Sequence, residues 1–222
     1  EDLKNKNVKV IGDPQKRIEE DYLRIIRYIR FKILYNLEEE KNIENIIKQN
    51  LNGISKISKE RILLELFKIL DLKNFSKIND STQLKEIFNK IFPEFIYLNR
   101  LARLKKIYNY SNLNRDILLA ILLIDEKDNH EYFLHKYNAG NKIKESLKKF
   151  SSNLNEIKKD RNFLERDLIK NLYIYGKDHL IALNLIYFSI NPKVKSQDFS
   201  KLLSKIFKSN IPKFYIDGEY LK

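Results

Sequence analysis

Glu20-Asp21-Tyr22-Leu23-Arg24-Ile25-Ile26-Arg27-Tyr28-Ile29-Arg30-Phe31 is the stretch whose reading decides the fold. Wound at about 100° per residue, Tyr22, Ile25, Ile26, Ile29 and Ile33 fall on one apolar stripe, the pattern of a helix packed against a core. Glu20, Asp21, Arg24 and Arg27 land on the opposite side. Asp21 and Arg24 are three residues apart and so become neighbours on that face, and Arg27 and Arg30 extend the row with Tyr28 and Phe31 among them. Two readings of the polar face stand together. Charged faces of this kind are commonly solvated ion pairs contributing about 0.3–0.5 kcal/mol each. A carboxylate beside a guanidinium also offers a flat acceptor and a flat donor fork, which is what pairing with a nucleobase edge requires.

Outward from this helix the periodicity stays helical. On the N-terminal side, residues 1–14 alternate weakly through Val8, Val10 and Ile11 before Gly12-Asp13-Pro14, which predicts one short strand and a turn. A lone strand needs sheet partners, so this start is expected to be the remnant of a larger domain. The absence of any methionine and the opening on Glu1-Asp2-Leu3 point to the same expectation, a fragment or processed piece. The helix itself is predicted from about Gln15 or Ile18 to Tyr35, just after Pro14.

Further stripes follow. Ile43, Ile46, Ile47 and Leu51 lie at helical spacing, with Gly53 as the expected stop. Ser55 and Ser58 are candidate caps for a helix with Ile62, Leu63, Leu66, Phe67 and Leu70 inside, and Arg61 and Glu65 are spaced to pair along it. Ser81-Thr82 leads into Leu84, Ile87, Phe88 and Ile91, and a long stripe runs from Phe95 to Ile107. The run from Asp116 to Ile124 is apolar on nearly every side, the mark of a central buried helix. Asp125 to Asn141 is predicted as a loop with a short helix at Tyr132 to His135. Lysine-rich helices follow at Ile143–Phe150, Leu154–Tyr175 and His179–Ser189, then a shorter one at Phe199–Ile206. The predicted fold class is all-α, an array of packed helices preceded by one residual β-strand.

Composition narrows the partners. The chain has 222 residues, 43% of them apolar, with 43 Lys and Arg against 30 Asp and Glu for a formal net charge of +13. Such an excess makes a polyanion the default partner. The longest apolar run, Ile117 to Ile124, is far below the roughly 18 residues needed to cross a bilayer, so no membrane role is expected. With no cysteine there is no disulfide or thiolate chemistry. His130, His135 and His179 are too scattered for a metal site. Lys142, Lys144, Lys148, Lys149, Lys158, Lys159, Arg161 and Arg166 form either a track along a phosphate backbone or a solubilising face, and the scarcity of acids among them favours the track.

The order of residues then becomes informative. Gly12-Asp13-Pro14 followed by Arg17 to Phe31 resembles the EDxxR region of the class II tRNA nucleotidyltransferases, the CCA-adding enzymes, and of the related bacterial poly(A) polymerases. Ile57-Ser58-Lys59-Glu60-Arg61 with Glu65-Leu66 and Lys68 is similar to the RxxxE helix of that family, and Pro93-Glu94 is similar to its body. The resemblance implies a neck over 15–72, a body over 73–141, a partial, tRNA-binding tail over 142–222, and a remnant head strand in 1–14.

It also implies that Asp21 and Arg24 present a protein template to CTP or ATP, and that Arg27 and Arg30 are further nucleotide contacts. Glu20, Arg61 and Glu65 become structural support, tRNA becomes the partner, and the location expected is the cytoplasm. The glycine-rich turn and paired aspartates that hold Mg2+ in the family's head have no counterpart here. The chain is therefore expected to bind rather than catalyse by itself, with no catalytic or metal-binding residue of its own. A poly(A) polymerase, a CC- or A-adding enzyme, or a stand-alone helical RNA-binding module are the alternatives.

Overall fold

The computed structural model describes residues 12–38, 40–107, 113–160 and 162–210. Helix α1 (Pro14–Glu20) begins where Pro14 supplies the helical φ and the Asp13 carboxylate accepts from the Gln15 N–H at 3.0 Å. It does not run on. Asp21 is extended (φ −152°, ψ 99°), and its carboxylate accepts from the Leu23 N–H at 3.2 Å, a donor that a continuous helix would have given to residue 19. A short acidic side chain competing for backbone donors thus divides the predicted helix into α1 and α2 (Leu23–Tyr35). The apolar stripe survives: Ile25, Ile26, Ile29 and Ile33 are buried.

Helix α3 (Lys41–Asn50) ends before Gly53, which lies inside a 3-10 turn, Leu51–Lys56; the expectation that Gly53 stops the helix is corrected. Helix α4 (Lys59–Leu70) starts on Ser58, whose hydroxyl accepts from the Arg61 N–H, and packs against α2. A second 3-10 turn, Phe75–Asn79, leads to α5 (Thr82–Ile91), capped by Ser81. The long stripe after Pro93 folds mostly as turns, with helix only in α6 (Arg100–Leu104), although Phe95, Leu98, Leu101 and Leu104 are all buried as the spacing requires. Helix α7 (Arg115–Leu123) is the buried helix expected, and α8 (Asn129–Lys136) exceeds the short helix predicted there.

The next two predicted helices redistribute. Helix α9 (Asn141–Lys159) takes up Ile143 to Phe150 and continues, whereas the stretch from Leu154 to Tyr175 is interrupted. Its parts are the end of α9, α10 (Phe163–Arg166) and α11 (Leu168–Tyr175). The Asp160 carboxylate accepts from the Asn162 N–H at 2.9 Å, again a side chain taking a backbone donor. Helices α12 (Lys177–Ile190) and α13 (Ser196–Lys208) pack on one another.

The described residues contain no strand. The strand expected at Asp2–Ile11, Arg161 and the extended ending from Ile211 lie outside the described residues. No described helix is long and apolar enough to cross a membrane.

By contacts the chain divides into two compact units, residues 1–147 and 148–222. The core of the first is aromatic at its centre: Phe88 meets Phe92 at 5.0 Å and Phe95 at 5.5 Å between ring centroids, and Phe133 meets Tyr137 at 5.0 Å. The second is built on Leu172, Leu180, Leu183, Ile186 and Ile206.

Candidate nucleotide-binding face on α2 and α4

Dividing α1 from α2 changes which side chains meet. Asp21 and Arg24 do not pair. The Asp21 carboxylate accepts from Arg61 Nη2 at 3.4 Å through both oxygens and lies 3.9 Å from Arg27 Nη1. Arg24 instead faces Glu20 at 3.9 Å, and Glu20 accepts from Arg17 at 3.1 Å. The expected pairing of Arg61 with Glu65 along α4 is likewise replaced. Arg61 reaches across to Asp21, and Glu65 reaches Arg30 Nε at 3.2 Å and Arg27 Nε at 3.6 Å while accepting from Lys68 at 2.9 Å. Both residues therefore brace α4 against the charged face of α2, by contacts across the helix pair rather than within one helix.

Burial ranks these groups. The Glu65 side chain is only 4% exposed. A carboxylate so placed is tolerable only with charged partners, because an unpaired buried charge costs several kcal/mol. It therefore holds Arg27 and Arg30 in place, and the Arg30 guanidinium also lies 4.6 Å from the Phe31 ring centroid. Asp21, at 28% exposure, is reachable from solvent, and Arg24, Arg27 and Arg61 are 45%, 41% and 52% exposed. An acceptor thus sits between two guanidinium donors, Arg61 and Arg27, on an open surface.

Two anchors under this face had no local signal in the sequence. The ring of Tyr22 rests on the backbone of Gly53, with Lys56 Nζ 5.3 Å from the ring centroid. Lys32 and Glu44, both buried, form an ion pair between α2 and α3, flanked by the Tyr28 hydroxyl at 3.5 Å. Tyr28 is thus part of a buried contact, while Phe31 stacks on Tyr35 at 6.1 Å.

Elsewhere, Arg100 donates to the carbonyls of Ile121 and Ile124 at 2.7 and 2.9 Å, closing the end of α7, and stacks 3.7 Å from the Tyr97 ring centroid. Burial holds its pKa below the usual guanidinium value. Glu94, from the Pro93-Glu94 pair, is buried and accepts from Lys136 at 2.5 Å.

His130 is buried and His179 half-buried, while His135 is exposed. Burial lowers the pKa of both His130 and His179. In the second unit His179 stacks on Phe150, with centroids 4.9 Å apart and planes within 4°, and its Nε2 lies 2.8 Å from Asn153 Oδ1. Among the described residues no three His, Asp or Glu side chains come together to hold a metal ion.

Of the lysine-rich track, Arg166 is neutralised by Asp160 at 2.6 Å and Asp167 at 3.6 Å, and Lys159 by Glu156 at 2.9 Å. Lys142, Lys148 and Lys149 are exposed.

Residues 36–98 match the family model described as the probable RNA and SrmB-binding site of polymerase A. The human mitochondrial CCA tRNA nucleotidyltransferase 1 is 47% identical over 73 residues, 32% of this chain and 17% of that protein. A CCA-adding enzyme of Staphylococcus epidermidis is 25% identical over 189 residues, 82% of this chain and 44% of the relative. Two solved structures share the fold. A CCA-adding enzyme in complex with ATP superposes with a TM-score of 0.65 at 21% identity, over 100% of this chain and 55% of the other. The Thermotoga maritima CCA-adding enzyme complexed with tRNA gives 0.63 at 22% identity, over 99% and 55%. The chain thus spans about half the length of those structures, and less of the curated relatives.

Proposed function

We propose, for a chain whose relatives in sequence and fold are CCA-adding enzymes, that it is the nucleotide-selecting and RNA-binding part of a tRNA nucleotidyltransferase. Residues 15–72 act as the neck that reads the base, 73–141 as the body and 142–222 as a tail on tRNA. The observation that carries this is the Asp21 carboxylate, held by Arg61 and Arg27 on an open face, with Arg24 one turn on and turned to Glu20.

The chemistry is specific. Cytosine and adenine both present an exocyclic amino donor beside a ring-nitrogen acceptor. Asp21 accepts from the amino group and Arg24 donates to the ring nitrogen. Uracil turns a carbonyl oxygen toward the carboxylate, which repels it. Arg27 and Arg30 supply positive potential, and Glu65 keeps both oriented.

Phosphoryl transfer by this family implies Mg2+. The described residues do not fit such a site, since no three His, Asp or Glu side chains among them come together. The metal belongs with other residues of the working enzyme, and this face contributes selection and binding.

Nucleotide incorporation into tRNA lacking its 3′ end, measured with the full-length protein carrying Arg24→Ala, tests the reading. Selection for CTP and ATP over UTP and GTP should collapse; unaltered selection rejects the role. A second reading, poly(A) addition, is favoured by the match of residues 36–98 to a segment named for polymerase A. Product length separates them, CCA ends against oligo(A).

A further inference from the structure

Gly53 has no place in the selection chemistry, yet the base-reading stretch rests on it. A Cβ built at Gly53 would lie 2.1 Å from Cδ1 and Cε1 of Tyr22 and 2.5 Å from Cγ. Those are ring carbons held at the N-terminal end of α2, not the free end of a flexible chain. Neither a helix stop nor backbone freedom accounts for glycine here: α3 has ended at Asn50, Gly53 is inside the 3-10 turn, and its φ is not positive. The space taken by the tyrosine ring accounts for it.

Tyr22 lies between Asp21, in extended backbone, and Leu23, the buried first residue of α2. Its ring, seated on Gly53 and faced by Lys56 at 5.3 Å, pins the joint between the two helices. The turn that carries Gly53 is held in its own right. Asn50 Nδ2 donates to Gln15 Oε1 at 3.1 Å and to the Ile46 carbonyl at 2.9 Å. The direction of Asp21 relative to Arg24 therefore depends on a contact made 31 residues along the chain.

We infer that Gly53 is a positioning residue for nucleotide selection, admitting the Tyr22 ring and so fixing the angle at which Asp21 and Arg24 meet a base. This rests on the reading of Asp21 and Arg24 as the selecting pair. A methyl group at position 53 lifts the ring and turns the joint. Misplacement of about 1 Å costs up to roughly a hundredfold where geometry is selective.

The test uses the full-length protein with tRNA lacking CCA and each of the four nucleoside triphosphates. Gly53→Ala should lower discrimination against UTP and GTP by at least about tenfold and raise KM for CTP and ATP, with KM for tRNA unchanged. Tyr22→Ala should do the same in smaller measure. The double variant should be no worse than Tyr22→Ala alone, because both changes act through one contact. A folded Gly53→Ala enzyme that loses thermal stability but keeps its selection overturns the inference, as do additive effects in the double variant. Should Gly53→Ala fail to fold, Tyr22→Ala decides alone: altered selection supports the inference and wild-type selection rejects it. Arg24→Ala is run beside them. Unaltered selection there sinks the underlying reading, whereas altered selection there with none in Gly53→Ala sinks this inference only.

Discussion

The Asp21 carboxylate and the Arg61 guanidinium, forty residues apart, meet at 3.4 Å through both carboxylate oxygens. With one partner about half exposed and the other accessible, the pair is worth little to folding, about 0.2–1 kcal/mol. Its consequence is directional, since it fixes which way the acceptor points. Arg61→Ala is expected to leave the melting temperature within a few degrees while weakening discrimination against UTP. The effects of Asp21→Ala and Arg61→Ala on selection should not add. Additive effects would show that the two groups act separately.

Glu65 is the opposite case. It is buried beneath Arg27, Arg30 and Lys68, so neutralising it strands positive charge against an apolar interface. Glu65→Gln should cost about 2–3 kcal/mol, below the 3–5 typical of fully buried pairs because Arg27 and Lys68 reach solvent. In a chain of this size that is a fall of roughly 4–12 °C in Tm. A change under about 0.5 kcal/mol in chemical denaturation would mean that the carboxylate does not hold the row.

The comparison of these two acids shows what was legible in the sequence. The apolar face of α2, the cap at Ser58 and the buried run of α7 were readable because they depend on neighbours within a turn or two. The charged residues were readable as a set, yet their partners were not. Spacing paired Asp21 with Arg24 and Arg61 with Glu65, and neither pairing forms. The helix breaks at Asp21 because a side chain took the Leu23 N–H, and packing of α2 on α4 then offered nearer partners. Gly53 was legible as an exception to helix and not as a seat for Tyr22, and the Lys32–Glu44 pair gave no signal, since both depend on where another element lies.

His179 predicts a pH dependence. Burial, with Lys149 nearby, lowers its pKa from 6.5 to about 4, and the neutral ring donates from Nε2 to Asn153 Oδ1. Between those values the unfolded chain binds the extra proton. The contribution is therefore fully present above pH 6.5 and is lost as pH falls toward 4. Because the ring is half-buried, the loss is about 1–2 kcal/mol, less than the full shift implies. Denaturation midpoints of the chain and of His179→Phe, which keeps the stack on Phe150, should differ in slope across this window. Parallel slopes would show that the histidine is not held neutral.

The lysines separate into committed and free groups, and RNA binding should follow that division. Arg166 and Lys159 already face carboxylates; among the described residues Lys142 and Lys148 are exposed and have no such partner. A phosphate contact from a free lysine releases counterions, and each one lost reduces the salt dependence of binding by about one unit of slope. Binding of tRNA by the full-length protein from about 50 to 200 mM salt should therefore flatten by roughly one to two units in Lys142→Gln/Lys148→Gln, with less change in Arg166→Gln. An unchanged slope in the double variant would assign these lysines to solvation. A larger loss from Arg166→Gln would place the track on the neutralised residues, and local acids would then be a poor guide to which cations meet phosphate.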